Sequence, residues 1–183
     1  RTLKGEAVKG LGECLVANHL FRLGVEYRYE ASYEHDTRSP DFRQYQPDFY
    51  LPDYGIYLEH VGIDRDGNTA SYIDRETYHL GMAWKRDLHL QRNTRLIETY
   101  HHEYSEGVLL ESLKTKLASA GVRFQPLAPE EVLERLRDFG AISTFAGLLA
   151  QLLRRYKACH LGEEQILKQM EGSENERQTN VAL

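Results

Sequence analysis

The stretch QPDFYLPDYGIYLEHVG, residues 46–62, decides the fold, because it predicts two short strands joined by a tight turn. The strands are expected over 45–51 and 55–62. Pro52 and Gly55 bound the turn between them, since proline and glycine are the residue types that most often begin and end turns. The second strand is nearly continuously apolar, which predicts burial on both faces of a sheet.

Two carboxylates stand out in this hairpin. If Pro52 pairs with Gly55 across a two-residue loop, the same register places Asp48 directly opposite Glu59 on one face of the sheet. Neighbouring carboxylates repel each other unless a positive group lies between them. A hard divalent cation with oxygen ligands is the candidate for that position.

Composition limits the class of protein. The chain has 183 residues, enough for one sizeable domain, and its net charge of −5 excludes the basic footprint of a free-standing nucleic-acid binder. Cys14 and Cys159 are too few and too far apart to indicate a disulfide framework or a zinc site, which favours a reducing cytoplasm. We predict no membrane partner, because the sequence contains no transmembrane run.

A helix is predicted over 3–23, ending at Gly24. Its apolar stripe includes one acid, Glu13, in the order Glu13, Val16, Ala17 and Leu20. An exposed position at the edge of the stripe and a functional role are both open for Glu13 on this pattern alone.

The remaining elements indicate an α/β fold with a mixed central sheet. A strand–helix–strand unit over 55–100 is typical of a parallel crossover. We predict four strands and two packing helices at 26–33, 45–51, 55–62 and 94–99, and at 3–23 and 72–92. In the second helix, Trp84 and Leu88 are predicted to mark the core stripe. A second stripe carries Tyr78, Met82, Lys85 and His89.

The C-terminal part is predicted to be mainly helical. Its expected elements are a helix over 105–120, a strand over 122–127, and helices over 129–138 and 139–156. His101, His102 and Glu103 are interpreted as a solvated turn. The predicted divisions are a domain over 1–127, a helical extension over 128–162 and an acidic tail over 163–183, with residues 171–183 expected to be disordered.

The order of helical Glu13, Pro47-Asp48 at a strand end and Glu59 eleven residues later resembles the PD-(D/E)XK nuclease superfamily. The resemblance implies a restriction-endonuclease-like αβββαβ core over about residues 3–100, with extra C-terminal helices. The strings GECLVANHLFRLGVEYRYEASY, QPDFYLPDYGIYLEHVGID and YHLGMAWKRDLHLQRNTRLIETY are similar to the nuclease-like insert of UvrD/Rep-type DNA helicases of the helicase IV type. This implies DNA and the motor domains of a parent helicase as partners, with the motor outside this chain.

The resemblance also implies a catalytic site. Asp48, Glu59 and the backbone carbonyl of His60 would hold one Mg²⁺ or Mn²⁺ ion, and Glu13 would bind a metal-bound water or a second ion. DNA phosphodiester hydrolysis is the reaction that such a site implies. No small-molecule cofactor is expected.

One position departs from the family pattern. The family has lysine two residues after the second acid, where this chain has Val61. We expect Lys85 to replace it from the following helix. Tyr78 and His89 share the stripe of Lys85, and together with His60 they are predicted to support the site or contact DNA.

Two other functions remain open. The chain could be a catalytically inactive nuclease-fold insert that contacts DNA or docks on a helicase motor, which Val61 and the negative net charge favour. The presence of Glu13, Asp48 and Glu59 together favours catalysis, because burying a carboxylate pair is costly. A sugar- or nucleotide-binding α/β module is a third possibility, without a motif that supports it.

Overall fold

The computed structural model describes residues 1–40, 42–138 and 140–159. The predicted tail over 163–183, including the disorder expected from residue 171, lies outside them. The described part has a mixed α/β architecture, as predicted. Its elements are α1 (Leu11–Arg22), β1 (Arg28–Tyr29), β2 (Phe49–Leu51), β3 (Ile56–Val61), α2 (Arg75–Gln91), β4 (Arg95–Tyr100), α3 (His101–Ser105), α4 (Leu109–Ser119), α5 (Pro129–Asp138) and α6 (Ala141–Cys159).

The four strands form one mixed sheet in the order β1-β2-β3-β4. β1 and β2 are antiparallel, as are β2 and β3, whereas β3 and β4 are parallel and are joined through α2. In the hairpin, Phe49 pairs with Leu58 and Leu51 with Ile56, which confirms the predicted register. The strands stop short of Pro52 and Gly55, so the turn is longer than the predicted two-residue loop.

Each face of the sheet has its own core. On one face, α1 and α4 pack on the strands around fully buried side chains such as Leu20, Leu58 and Leu113. On the other face lie the buried tyrosines Tyr33, Tyr45 and Tyr57, against which Leu88 of α2 and Leu96 of β4 pack. Since side chains alternate along a strand, Glu59 lies on the second face with Tyr57.

The first helix and the first strand are shorter than predicted. The helix begins at Leu11 rather than at residue 3, because a turn closes before it, with the N–H of Thr2 bonded to the carbonyl of Glu6 and Gly5 at φ +92°. The strand expected over 26–33 consists of Arg28–Tyr29 alone. Glu30 has a φ of +47°, and this left-handed backbone ends the ladder.

Two C-terminal predictions were also wrong. The segment 122–127 is not a strand, and two of its N–H groups, those of Gln125 and Leu127, bond to the carbonyls of Leu23 and Arg22 at the end of α1. The helix expected over 105–120 begins later, as α4 at Leu109, and Gly107 with a φ of +74° separates it from α3. The helix over 129–138, which begins at Pro129, is confirmed.

The predicted core stripe of α2 was the wrong one. Trp84 is 48% exposed and Leu88 is half-buried, whereas Met82 and His89 are buried and face the sheet. Similarly, β4 was expected to be buried, but Thr99 is its one buried residue. The physical reason is that β4 lies at the edge of the described sheet, where no further strand pairs with its outer side.

The chain divides into two compact units, Arg1–Arg135 and a second that begins at Leu136. All of the predicted site residues lie in the first unit. The amphipathic helix expected over 139–156 is present as α6, and its apolar side chains, such as Phe145 and Leu152, are exposed. Among the described residues, none of the helices is both long and apolar enough to cross a bilayer.

Candidate active site

The hairpin brings Asp48 and Glu59 together as the register requires. Glu59 lies within β3 and is 4% exposed, and Asp48 immediately precedes β2 at the position opposite it. One oxygen of Asp48, Oδ2, accepts a hydrogen bond from the backbone N–H of His60 at 2.7 Å. The two carboxylates therefore lie side by side on the α2 face of the sheet.

Glu59 is held by two donors from other parts of the chain. The Lys85 ammonium, on α2, lies 2.6 Å from its Oε2 atom. The Tyr45 hydroxyl donates to its Oε1 atom at 2.7 Å. Lys85 therefore reaches the carboxylate pair from the helix, which is the position that a lysine displaced from residue 61 would need. Its side chain remains one-third exposed, so the ammonium is also open to solvent.

The pair has more negative charge than its surroundings neutralise. Burial and the neighbouring charge of Glu59 raise the pKa of Asp48 to about 7, and the charge of Glu13 contributes in the same direction. The His60 N–H and the Lys85 ammonium oppose this rise without cancelling it. Near neutral pH, Asp48 is therefore divided between its protonated and ionised forms, and an additional cation would favour the ionised one.

Glu13 lies on α1, which packs on the face of the sheet opposite to the carboxylate pair. It lies in the first turn of α1 and is half-buried, and its Oε2 atom accepts a hydrogen bond from the Tyr29 hydroxyl at 2.6 Å. The backbone N–H of Lys9 donates to the same atom at 3.1 Å. Glu13 is thus anchored by groups outside the carboxylate pair, although it is near enough for its charge to affect Asp48.

The His60 imidazole points away from the pair. It packs so closely on Gly12 of α1 that a Cβ atom there would overlap its Nε2 atom. Its Nδ1 atom is 3.0 Å from the Thr99 hydroxyl, and burial lowers its pKa. Among the predicted roles of His60, the structure places only its backbone beside the acids.

His89 reaches Glu59 through a tyrosine rather than directly. Because the Tyr45 hydroxyl donates to Glu59, its oxygen accepts from His89 Nε2, 3.3 Å away. His89 Nδ1 then accepts from the Thr94 hydroxyl at 2.7 Å, and the Tyr33 hydroxyl lies 2.6 Å from the Thr94 oxygen. Burial and the charge of Lys85 lower the pKa of His89 to about 4, so the imidazole is neutral, as this chain of hydrogen bonds requires.

Tyr78 ties α2 to the end of β3, since its hydroxyl accepts a hydrogen bond from the Gly62 N–H at 2.8 Å. Beside it, a pocket of about 310 Å³ opens next to Glu59 and Lys85. The pocket is lined by Glu59, Val61, Thr77, Tyr78, Gly81, Met82, Lys85 and Glu98. Val61, which stands where the sequence resemblance implies a lysine, therefore faces this pocket.

The donor set suits a hard cation, because Asp48 and Glu59 offer carboxylate oxygens in a cluster with surplus negative charge. In the described part of the chain, no three His, Cys, Asp or Glu side chains are grouped as a metal site. A cation bound here would thus depend on the two carboxylates and on a backbone oxygen such as the His60 carbonyl. This is the ligand set that the sequence resemblance implies.

The three adjacent residues His101, His102 and Glu103 are not a solvated turn. They form the first turn of α3, and Glu103 is 8% exposed. Its carboxylate accepts hydrogen bonds from the Tyr100 N–H at 2.8 Å and from the Lys116 ammonium at 2.6 Å. The sequence pattern did not show this pair, because Lys116 belongs to a different helix.

The structure thus brings Asp48, Glu59 and Lys85 together, with Glu13 nearby and anchored separately. Sequence reasoning missed Tyr45 and Tyr29, which bind the two glutamates. A tyrosine three residues before Asp48 was a weak signal, since twelve tyrosines are present. Comparisons of the chain with protein-family models, with curated proteins and with solved structures gave no match.

Proposed function

We propose that residues 1–135 carry a metal-dependent nuclease site that hydrolyses DNA phosphodiester bonds. The observation that supports this function best is the buried pair of Asp48 and Glu59, which share Lys85 as a neighbouring cation while the pKa of Asp48 is raised to about 7. A buried pair with unneutralised charge destabilises the fold, and binding a divalent ion would relieve that repulsion.

The residues have distinct roles in this proposal. Asp48, Glu59 and the His60 carbonyl would hold Mg²⁺ or Mn²⁺, with Glu13 beside them. When bound, the ion would lower the pKa of a water ligand and offset charge on the phosphate. Lys85 is partly exposed at the same point, where its ammonium can stabilise negative charge that develops on the phosphate or orient the attacking water. Tyr45 fixes the orientation of Glu59.

A non-catalytic insert is the second candidate, and one contact favours it. The 2.6 Å ion pair with Lys85 already neutralises Glu59 without a metal, and Val61 leaves the adjacent pocket without the family's lysine. The fold would then serve as a DNA-contacting or docking module. Insertion into a UvrD/Rep-type DNA helicase belongs to both candidates and is supported by the sequence resemblance.

Metal binding is the first test. Calorimetry should detect millimolar or tighter binding of Mn²⁺ to the wild type, and the ion should raise the melting temperature, because a ligand specific for the folded state stabilises it. Asp48→Asn should weaken both effects. If the wild type binds no divalent ion and Asp48→Asn changes neither quantity, the nuclease proposal fails.

Cleavage of DNA separates the two candidates. With Mn²⁺, Lys85→Ala should lower the cleavage rate at least about a hundredfold, since a group that stabilises transition-state charge is lost. Metal affinity should change little, because lysine is not a ligand. Arg86→Ala is the matched control, as Arg86 pairs with Glu98 on the neighbouring strand. Metal binding without any cleavage by the wild type would favour the inactive insert.

A further inference from the structure

Trp84 is the only tryptophan of the chain, and it packs on Tyr45 beside the site rather than in the core. Its side chain is 48% exposed on α2, directly before Lys85. Large aromatic side chains are usually buried well beyond this, because they bring much apolar area out of water. An indole exposed beside the one lysine that reaches Glu59 is therefore a candidate contact for substrate.

The indole packs against a residue of the site. Its ring lies 5.7 Å from the Tyr45 ring at an angle of 79°, an edge-to-face arrangement. Tyr45 is 6% exposed and its hydroxyl donates to Glu59. One tyrosine ring thus separates the indole from the carboxylate. A side chain held in this way loses little conformational entropy when a ligand binds.

We propose that Trp84 is a stacking platform for an unpaired base of single-stranded DNA whose backbone reaches the Asp48–Glu59 site. This inference rests on the proposed function for the chemistry at the carboxylates. Every base offers an aromatic face, and stacking on protein rings contributes binding without sequence preference. In a duplex both faces of a base are covered by its neighbours, so a base must be unpaired and unstacked before it can bind here.

The charge of the chain supports stacking over backbone contacts. The net charge is −5, and the lysine nearest to the pair is already bonded to Glu59. Contacts between this ammonium and DNA phosphates, of the kind that dominate most protein–DNA affinity, would therefore compete with its bond to Glu59. An aromatic contact supplies affinity that does not depend on positive charge.

Docking of a protein on the same ridge of α2 is the competing use of this surface. Leu80 precedes Trp84 by one helical turn and is 65% exposed, so a protein partner would bury both side chains. A base stacked on the indole needs an aromatic face and gains little from Leu80. Leu80→Ala is therefore the matched control for Trp84→Ala.

The single tryptophan makes a direct test possible. Emission of the wild-type protein is followed in EDTA, which prevents cleavage, during titration with three probes of equal length. The probes are an oligothymidylate, the same phosphodiester chain made abasic, and a duplex. We expect strong quenching by the oligothymidylate and several-fold less by the other two. Equal quenching by the abasic chain, or none by the oligothymidylate, would overturn the stacking proposal.

Affinities of variants provide the second measurement, from the anisotropy of a dye-labelled oligothymidylate. Trp84→Ala should weaken binding about tenfold, which is within the usual effect of losing one stacked base. Trp84→Phe should keep most of the affinity, and Leu80→Ala should stay within about twofold of the wild type. If Leu80→Ala weakens binding as much as Trp84→Ala, the ridge acts as an apolar docking surface and the proposal is wrong.

Two outcomes separate the stacking platform at Trp84 from the nuclease activity at the carboxylates. Quenching by single strands without cleavage in Mn²⁺ would support the platform and contradict the nuclease. Cleavage in Mn²⁺ that is unchanged in Trp84→Ala, together with unchanged affinity, would support the nuclease and contradict the platform.

Discussion

The described fold contains two buried glutamate–lysine pairs that look alike by distance and differ in charge balance. Lys85 lies 2.6 Å from Glu59, and Lys116 lies 2.6 Å from Glu103. Both glutamates are less than a tenth exposed, and both lysines are about one-third exposed. Burial and ion pairing therefore do not distinguish the candidate active site from the other pair.

The surroundings of the two pairs distinguish them. Burial alone would raise the pKa of Glu103, but Lys116, Ser112 and the Tyr100 N–H outweigh it and hold the pKa below its ordinary value. Lys116 also donates to the Glu98 carbonyl at 2.9 Å, which joins α4 to β4. This pair is neutralised and fully bonded, as a structural ion pair should be.

The Glu59 pair has a second acid beside it. One lysine serves two carboxylates, and the excess appears in the raised pKa of Asp48. Stability alone does not require such an arrangement, because replacing one acid with an amide would relieve the repulsion. Surplus charge, rather than burial, is thus the property that indicates function here.

The largest effect on stability should come from the balanced pair. Lys116→Ala leaves Glu103 without its cation, and we expect unfolding to become easier by about 3 kcal/mol, the low end of the range for a broken buried pair. Urea denaturation measures this, with the exposed Lys114→Ala on the same helix as control. Metal affinity should not change. A loss of Mn²⁺ binding in Lys116→Ala would mean that the two pairs are coupled.

The unbalanced pair should make stability depend on pH. The folded-state pKa of Asp48 is about 7 and its ordinary value is 3.8, so the folded state binds more protons between these values. In EDTA, stability should therefore fall as pH rises from about 4 to about 7, by roughly 2 kcal/mol after allowance for relaxation of the site. Urea denaturation of wild type and Asp48→Asn at several pH values isolates this contribution.

In Asp48→Asn, the amide at this position cannot ionise. The variant should lack that slope and exceed the wild type in stability above pH 7. Saturating Mn²⁺ should reduce the slope of the wild type, because the ion favours the ionised carboxylate. Parallel curves for the two proteins in EDTA would show that Asp48 is not perturbed as described.

The smallest effect should come from the hydrogen-bond chain behind Glu59. Tyr45→Phe removes the hydroxyl between His89 and Glu59, and should lower stability by about 1 kcal/mol. Mn²⁺ affinity should fall about tenfold, as expected when a group that orients a metal ligand is lost. Calorimetry measures the affinity and urea denaturation the stability.

Tyr33→Phe is the control for this chain. It also removes a buried hydroxyl, which lies 2.6 Å from Thr94 at the far end of the same chain. Its stability should fall by a similar amount while its Mn²⁺ affinity stays the same. Equal losses of affinity in both variants would attribute the effect to loosened packing instead of the orientation of Glu59.

Local pattern determined much of this protein. Pairing of the turn residues Pro52 and Gly55 predicted the register of β2 and β3, so the opposition of Asp48 and Glu59 followed from sequence alone. Helical spacing placed Lys85 on the same stripe as Met82 and His89, the residues of α2 that the structure buries. The spacing of apolar residues and the residue types of turns are local properties, and they can be recognised in a single sequence.

Only the tertiary structure decided which partners these residues meet. Tyr45 reaches Glu59 from a loop, and Lys116 reaches Glu103 from another helix. No spacing rule predicts such contacts, because they depend on how α2 and α4 pack on the sheet. The exposure of Trp84 was misjudged for the same reason: an amphipathic pattern shows that a helix has an apolar side, whereas packing selects which stripe is covered.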